Sequence, residues 1–385
     1  MENLLNIEVK SIEISGIRKF YNMVSKYDNV ISLTIGQPDF KTPEHIKDAV
    51  KIALDNNKTV YTHNAGIIEL RKAISNFINL KYNLNYNPED EIIVTSGASE
   101  AIYIALKTIL NANDEVLIPA PCYPGYEPVV KLCGAKVKHI DTTNTNFKLT
   151  KDLIKENISN STKCIIIPYP SNPTGQCLNH DELREIADFI RDKDIFIVSD
   201  EIYSELVFDR KHISIASFYN LEDKTIIING LSKSHSMTGF RIGFTLAPNY
   251  ITKHMIKVHQ YLNTCATSLS QYAALEALTK GIDDSIPMRE EYKKRRDYTY
   301  ERLIAMGFDV VKPSGAFYIF PNIKKFSSNS FDFALKLLEE ERVAVVPGSA
   351  FSNFGEGYIR ISYAYSMEEL KTALDKIENF LSKLK

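Results

Sequence analysis

The 385-residue sequence lacks a dominant charge: 46 Lys and Arg face 48 Asp and Glu, a formal net charge of −2. Without a basic excess there is little to neutralise a phosphate backbone, which argues against nucleic acid as a partner. Paired cysteines are missing too. Cys122, Cys133, Cys164, Cys177 and Cys265 are odd in number, scattered and without a CxxC pair, which argues against a disulfide framework or a zinc ribbon. The eight histidines are dispersed. His254 and His259 lack HExxH spacing, and His235 reads as structural, so no metal is expected. No run approaches the ~20 apolar residues that cross a bilayer. The opening MENLLNIEVK has an acidic residue and no apolar core of a secretory signal, and the sequons at Asn157 and Asn160 carry no weight without secretion. Repeats, low-complexity tracts and Gly/Ser linkers are also absent. The expectation is a cytoplasmic protein without nucleic-acid or membrane partners, acting on a small molecule.

What is present is an ordinary globular composition, 44% hydrophobic and 24% charged, at a length that suggests two to three structural units. Apolar, β-branched runs alternate with helical patterns. Ile92–Thr95 leads into a helix over Ala98–Leu110. Glu115–Ile118 and Cys164–Ile167 each stop at a proline, a helix follows near Asp181–Arg191, and Ile195–Ser199 and Thr225–Asn229 come next. Short runs apolar on both faces, alternating with helices, predict an α/β chain with a mostly parallel sheet covered on both sides. Beyond Tyr250 the pattern changes to a long helical region interrupted around Gly281. Strand-like pieces follow at Ala316–Phe320, Val343–Val346 and Tyr358–Ser362, with helices near Phe331–Glu340 and Met367–Leu384. This predicts a smaller α+β unit. The expected boundaries are 1–45 for an N-terminal arm with part of the small domain, 46–284 for the large domain and 285–385 for the small one; the first forty-odd residues have weak periodicity of their own.

Ligands of an open parallel sheet sit at the carboxyl ends of its strands, and four strand ends carry distinctive groups. Lys233, in GLSKSHSMTGFRIGF, follows a strongly apolar strand. An isolated lysine there is usually solvated, but an amine in a dry cleft can lose its proton and form a Schiff base with an aldehyde. Ser232 and Arg241 supply a hydroxyl and a cation suited to phosphate. Asp200, at the end of FIVSD, is either a turn or cap aspartate or the partner that keeps a ring nitrogen protonated. Tyr203 lies just beyond, and alone would be an ordinary half-buried tyrosine. SGASE joins a strand to a helix, where amides bind phosphate readily, although such turns are very common. Tyr123, in PCYPGY, could stack on a planar ligand or belong to the core. Asn172, in SNPTG, is a turn residue before anything else, and its amide could donate to a phenolate oxygen. Arg360, in YIRISYA, offers a fork suited to a carboxylate, though a strand-edge charge is the commoner meaning.

In this order, TSGASE, PCYPGY, SNPTG, SDEIYSEL and GLSKSHSMTGFRIGF resemble the class I and II aminotransferases of fold type I across nearly the whole chain. The resemblance implies a large domain with a mostly parallel seven-stranded sheet flanked by helices, a smaller α+β domain, and pyridoxal 5′-phosphate as cofactor. It implies that Lys233 holds the cofactor and later moves a proton. Asp200 would pair with the pyridine nitrogen, Asn172 and Tyr203 would bond the ring oxygen, and Tyr123 would stack on the ring. Ala98, Ser99, Ser232 and Arg241 would hold the phosphate. Tyr61, in VYTHNAG, matches a tyrosine that reaches the neighbouring subunit's phosphate, which implies a homodimer with shared active sites. Gly36, in LTIGQPDF, with Asn172 and Arg360, would meet the substrate. The implied activity is ping-pong transfer of an amino group from an L-amino acid to a 2-oxo acid, 2-oxoglutarate being the expected acceptor. SIEISGIRKF and GLSKSHSMTG most resemble the branch of bacilli acting on N-acetyl-LL-2,6-diaminopimelate in lysine biosynthesis. The alternatives are an aspartate, aromatic or broad-specificity aminotransferase, or a C–S β-lyase with the same cofactor. No second, side-chain-binding arginine is assigned from the sequence.

Overall fold

A computed structural model describes residues 1–384. Its centre is a seven-stranded sheet built from the β-branched runs. Across it the strands run Ile92–Thr95, Gly243–Leu246, Thr225–Gly230, Phe196–Asp200, Thr162–Ile167, Glu115–Ala120 and Lys136–Asp141. All are parallel except Gly243–Leu246, which is antiparallel to both its neighbours. Side chains alternate faces with period two. Ile93, Ile118, Ile166, Val198, Ile226 and Ile228 pack under the helix Ala98–Ile109 on one face. Ile92, Val94 and Ile227 meet Leu70, Ile74 and Phe77 on the other, beside a further group of Leu117, Ile165 and Ile197 against Leu183 and Ile186. Burial on both sides explains why these runs are continuously apolar rather than alternating.

Two sheet members differ from the sequence expectation. Gly243–Leu246 begins in the last two residues of a stretch that reads as a cofactor motif, yet forms a full strand. Lys136–Asp141 is an edge strand with mixed residues, too polar to stand out. The long helical region has a second interruption, giving Asn249–Asn263, Ser268–Thr279 and Ser285–Ala305. Asp181–Arg191 becomes His180–Ile190, closed at its start by an Asn179–Glu182 capping box.

The chain's two ends meet in a second layer. Ile31–Ser32 pairs in parallel with Val343–Ala344. The expected run Val343–Val346 is split, its remainder Val346–Pro347 joining Ile359–Ser362 and Tyr318–Ile319 in an antiparallel sheet. Within the first forty-odd residues, where little periodicity was expected, Gly16–Val24 forms an amphipathic helix whose Phe20 and Val24 are buried with Leu33, Leu337 and Ile361. That core also includes Tyr203 and Leu206 from the segment after Asp200, so the two layers share a hydrophobic floor.

Candidate active site

A cavity of about 670 Å³ opens at the carboxyl ends of the central strands, roofed by the second layer. At one end the helix Ala98–Ile109 begins. Its N-cap is Gly97, which has no side chain to cap the first turn, so the leading amides of the helix are left for a ligand. Gly97 is required there: its φ is +84°, and a Cβ would fall 2.5 Å from an Arg241 guanidinium nitrogen. Gly243 makes a second close approach, where a Cβ would lie 2.6 Å from the Ala98 amide nitrogen. The tight contact between the strand starting at Gly243 and the helix start sets Arg241 beside those amides. Arg241, Ser99, Ala98 and the buried Ser232 all line this end. It is an anion cradle.

In the middle stand Lys233 and Asp200. Loss of water pushes the Lys233 ammonium down to about 8, assisted by the charges of Arg241 and Arg360 and opposed by Asp200. Its Nζ donates to the Gly36 carbonyl at 2.7 Å. Asp200 is 6% exposed. Burial holds its carboxyl above the ordinary range, although Tyr126 Oη donates to Oδ2 at 2.7 Å and the Ile202 amide donates to Oδ1 at 3.2 Å. Tyr123 lies beside them and meets Tyr126 edge to face at 5.4 Å. Such a carboxylate suits a cationic ring nitrogen, and such an amine suits an aldehyde.

The far end is built around Arg360, which is 2% exposed on the strand Ile359–Ser362. One terminal nitrogen donates to Asn172 Oδ1 at 2.8 Å and the other to the Thr34 carbonyl. The guanidinium carbon lies 4.4 Å from the Tyr318 ring centroid and 5.0 Å from that of Phe351. Its Nε has no hydrogen-bond partner, and among the described residues it makes no ion pair. A buried guanidinium held by neutral oxygens and rings is short of one carboxylate. Asn172, with its oxygen engaged by Arg360, keeps its amide hydrogens for a ligand. Tyr203, expected as a ring partner, shares a hydroxyl–hydroxyl hydrogen bond of 2.8 Å with Tyr318.

The cavity thus brings together Gly36, Ala98, Ser99, Tyr123, Asn172, Asp200, Tyr203, Ser232, Lys233, Arg241 and Arg360. It does not include Tyr61, which is 85% exposed. His235 is fully buried, facing Ser234 and the Gly281 carbonyl. Cys122 is also buried. Sequence reasoning missed Tyr126 and Tyr318. Tyr126 stands in the same PCYPGY segment as Tyr123, a second aromatic three residues on. Tyr318 has no local signal, because its partners come from distant strands. A buried pair behind the cradle was missed as well: Glu100 accepts from His259 Nδ1 at 2.8 Å, and His259 Nε2 faces the Asn64 carbonyl at 2.9 Å.

Comparison with known proteins agrees with this geometry. The family model for aminotransferase class I and II matches residues 28–377. A Bacillus subtilis (strain 168) protein named "Probable N-acetyl-LL-diaminopimelate aminotransferase" is 58% identical over 383 residues, covering 100% of this chain and 97% of its own. An aspartate aminotransferase of Pyrococcus abyssi is 44% identical, with 96% of each chain covered. Among solved structures, aspartate aminotransferase from Thermus thermophilus with maleate superposes with a TM-score of 0.93 at 34% identity, covering 97% of this chain and 99% of that one.

Proposed function

That the chain belongs to the class I and II aminotransferases is the premise from which we propose a pyridoxal-phosphate-dependent transfer of an amino group from N-acetyl-LL-2,6-diaminopimelate to a 2-oxo acid, 2-oxoglutarate being the favoured acceptor. The observation that carries this reading is a single cavity holding both a lysine whose ammonium is weakened to about 8 and a buried guanidinium that lacks a counter-charge. The 58% relative supports the donor.

The residues fit the cofactor. Its phosphate would take the uncapped amides of Ala98 and Ser99 with Ser232 and Arg241, and its ring nitrogen would take Asp200. Asn172 and Tyr203 would serve the ring oxygen, Tyr123 a ring face, and Lys233 the aldehyde. When bound, pyridoxal phosphate supplies an aldehyde that takes up the amino group and an electron sink for the carbanion left when the Cα proton departs. Arg360 fixes the substrate's α-carboxylate, with Gly36 beside it, and so orients Cα. Lys233 would accept the Cα proton, a task suited to a group titrating near 8. Tyr126 holds Asp200 in place. Tyr61 is assigned to the phosphate of a second copy, making the working form a homodimer. The surroundings are taken as cytoplasmic.

The test is half a reaction. Donor alone should convert the holoenzyme's visible absorption to that of the pyridoxamine form, and an oxo acid should reverse it. Aspartate or an aromatic amino acid doing this better than acetylated diaminopimelate would move the donor to the branch represented by the Pyrococcus relative. Release of pyruvate and ammonia without any oxo acid would make the protein a β-lyase.

A further inference from the structure

The helix Gly16–Val24 presents two faces. Phe20 and Val24 are buried in the second layer's core, and Gly16 sits so close to Ala350 that a Cβ would lie 3.0 Å from it. Ser15, Arg18 and Tyr21, spaced three residues apart and therefore on one face, line the cavity instead. The helix is fixed from behind and lends the cavity a solvent-exposed polar stripe, with Ile17 beside it.

Arg18 stands out in that stripe. Its guanidinium lies 5.9 Å from the Tyr21 ring centroid, and among the described residues it has no ion pair. Glu13, the nearest acid in sequence, is tied to Lys19 at 2.8 Å. Ser15 caps nothing, since the first turn receives no side-chain hydrogen bond. The cavity's charges are Arg18, Lys233, Arg241 and Arg360 against the single carboxylate of Asp200. The cradle at Arg241 suits phosphate and Arg360 suits one carboxylate. One cation remains without an anion.

We propose that Arg18 is a specificity-determining residue that binds the distal carboxylate of a dicarboxylic amino donor. Ser15 and Tyr21 offer hydroxyls to whatever polar group the donor carries beside that carboxylate. This rests on the reading of the cavity as an aminotransferase site and extends it: Arg360 reads the feature shared by all amino acids, and Arg18 the feature that distinguishes the acidic ones. An arginine fork recognises a carboxylate by geometry as well as charge, so a lysine is a poor substitute.

The test uses the holoenzyme and its Arg18→Gln and Arg18→Lys variants. The first readout is kcat/KM for acetylated diaminopimelate and glutamate against leucine and phenylalanine. The ratio of dicarboxylic to monocarboxylic donors should fall about 10- to 100-fold in Arg18→Gln, with a smaller fall in Arg18→Lys and the change mostly in KM. The second is calorimetric binding of unreactive heptanedioate against hexanoate. The wild-type preference for the diacid should shrink by a similar factor. An unchanged ratio in both assays, or an equal loss on all donors, would overturn the proposal. If the wild type ignores acetylated diaminopimelate but uses glutamate, the substrate reading fails and Arg18 is still judged on glutamate against leucine. If donors produce no pyridoxamine form at all, the aminotransferase reading fails, and heptanedioate binding alone decides the role of Arg18.

Discussion

The cavity's two ends are both organised by an arginine, and they work in opposite ways. Arg241 is exposed, and its cradle is finished by backbone: an uncapped helix start and two glycines that let main chain come close. Arg360 is almost fully buried and relies on one side-chain amide and one carbonyl, with two aromatic rings close to it. A hydrated cation beside helix amides binds an anion without a large desolvation cost and gives it up to competing ions. A buried cation has already lost its water, so a carboxylate reaching it restores what the fold left unpaired. The first arrangement suits a tenant that stays by having many contacts. The second suits a visitor that must be recognised by one.

The contrast can be tested at each end of the cavity. The largest effect belongs to Arg360→Met. Removing one side of a buried charge pair costs ~4 kcal/mol, so kcat/KM should fall about a thousandfold for every amino donor. The apoprotein's melting temperature should stay within a few degrees, because an unpaired buried charge contributes little to stability. Steady-state kinetics and calorimetry decide it; a large drop in melting temperature would make Arg360 a structural residue. Gly97→Ala strikes the other end. It forces a side chain into a left-handed conformation at ~1–3 kcal/mol and pushes on Arg241. Cofactor affinity should fall about 10- to 100-fold while donor KM, measured at saturating cofactor, changes little.

Between the ends, Lys233 reports on both. Its folded value of about 8 means that below this pH the amine is mostly protonated and cannot attack an aldehyde. Capture of pyridoxal phosphate by the apoprotein, followed by absorbance, should slow about tenfold per pH unit below 8 and level off above it. The same lowered value makes folding stability rise with pH between about 8 and the unfolded lysine range, since there the unfolded chain binds the extra proton. Replacing Lys233 with Met should remove that component of the slope. Because Arg241 lowers the Lys233 value more than Arg360 does, Arg241→Ala should raise the capture midpoint further than Arg360→Met. The smallest effect is expected for Tyr126→Phe: loss of one hydrogen bond to Asp200 should reduce kcat about five- to tenfold.

Five of the parallel strands were legible because each is a short, doubly buried, β-branched run, a local property of sequence; the sixth, Lys136–Asp141, is a mixed edge strand with no such signature. Gly243–Leu246 was not, since four residues that start in the tail of a motif carry no period of their own and its two neighbours in the sheet come from residues 92–95 and 225–230. The helix Gly16–Val24 was hidden for a related reason: only Phe20 and Val24 are buried on it, too few to announce a face. For the site, strand-end residues such as Asp200 and Lys233 could be picked out by position. Tyr126, Tyr318 and Arg18 could not, because their significance lies in what other segments bring to them. Asn172 was expected for its amide, and its link to Arg360 emerges only from the fold.

Arg360 is held by the carbonyl of Thr34, 326 residues earlier in the chain. Everything this chain gives to its own anion cradle lies between Gly97 and Gly243, but the carboxylate end requires the first and the final tenths of the chain at once. Contacts of such long separation are slow to close. During synthesis, therefore, a chain can complete its phosphate cradle while its substrate end does not yet exist.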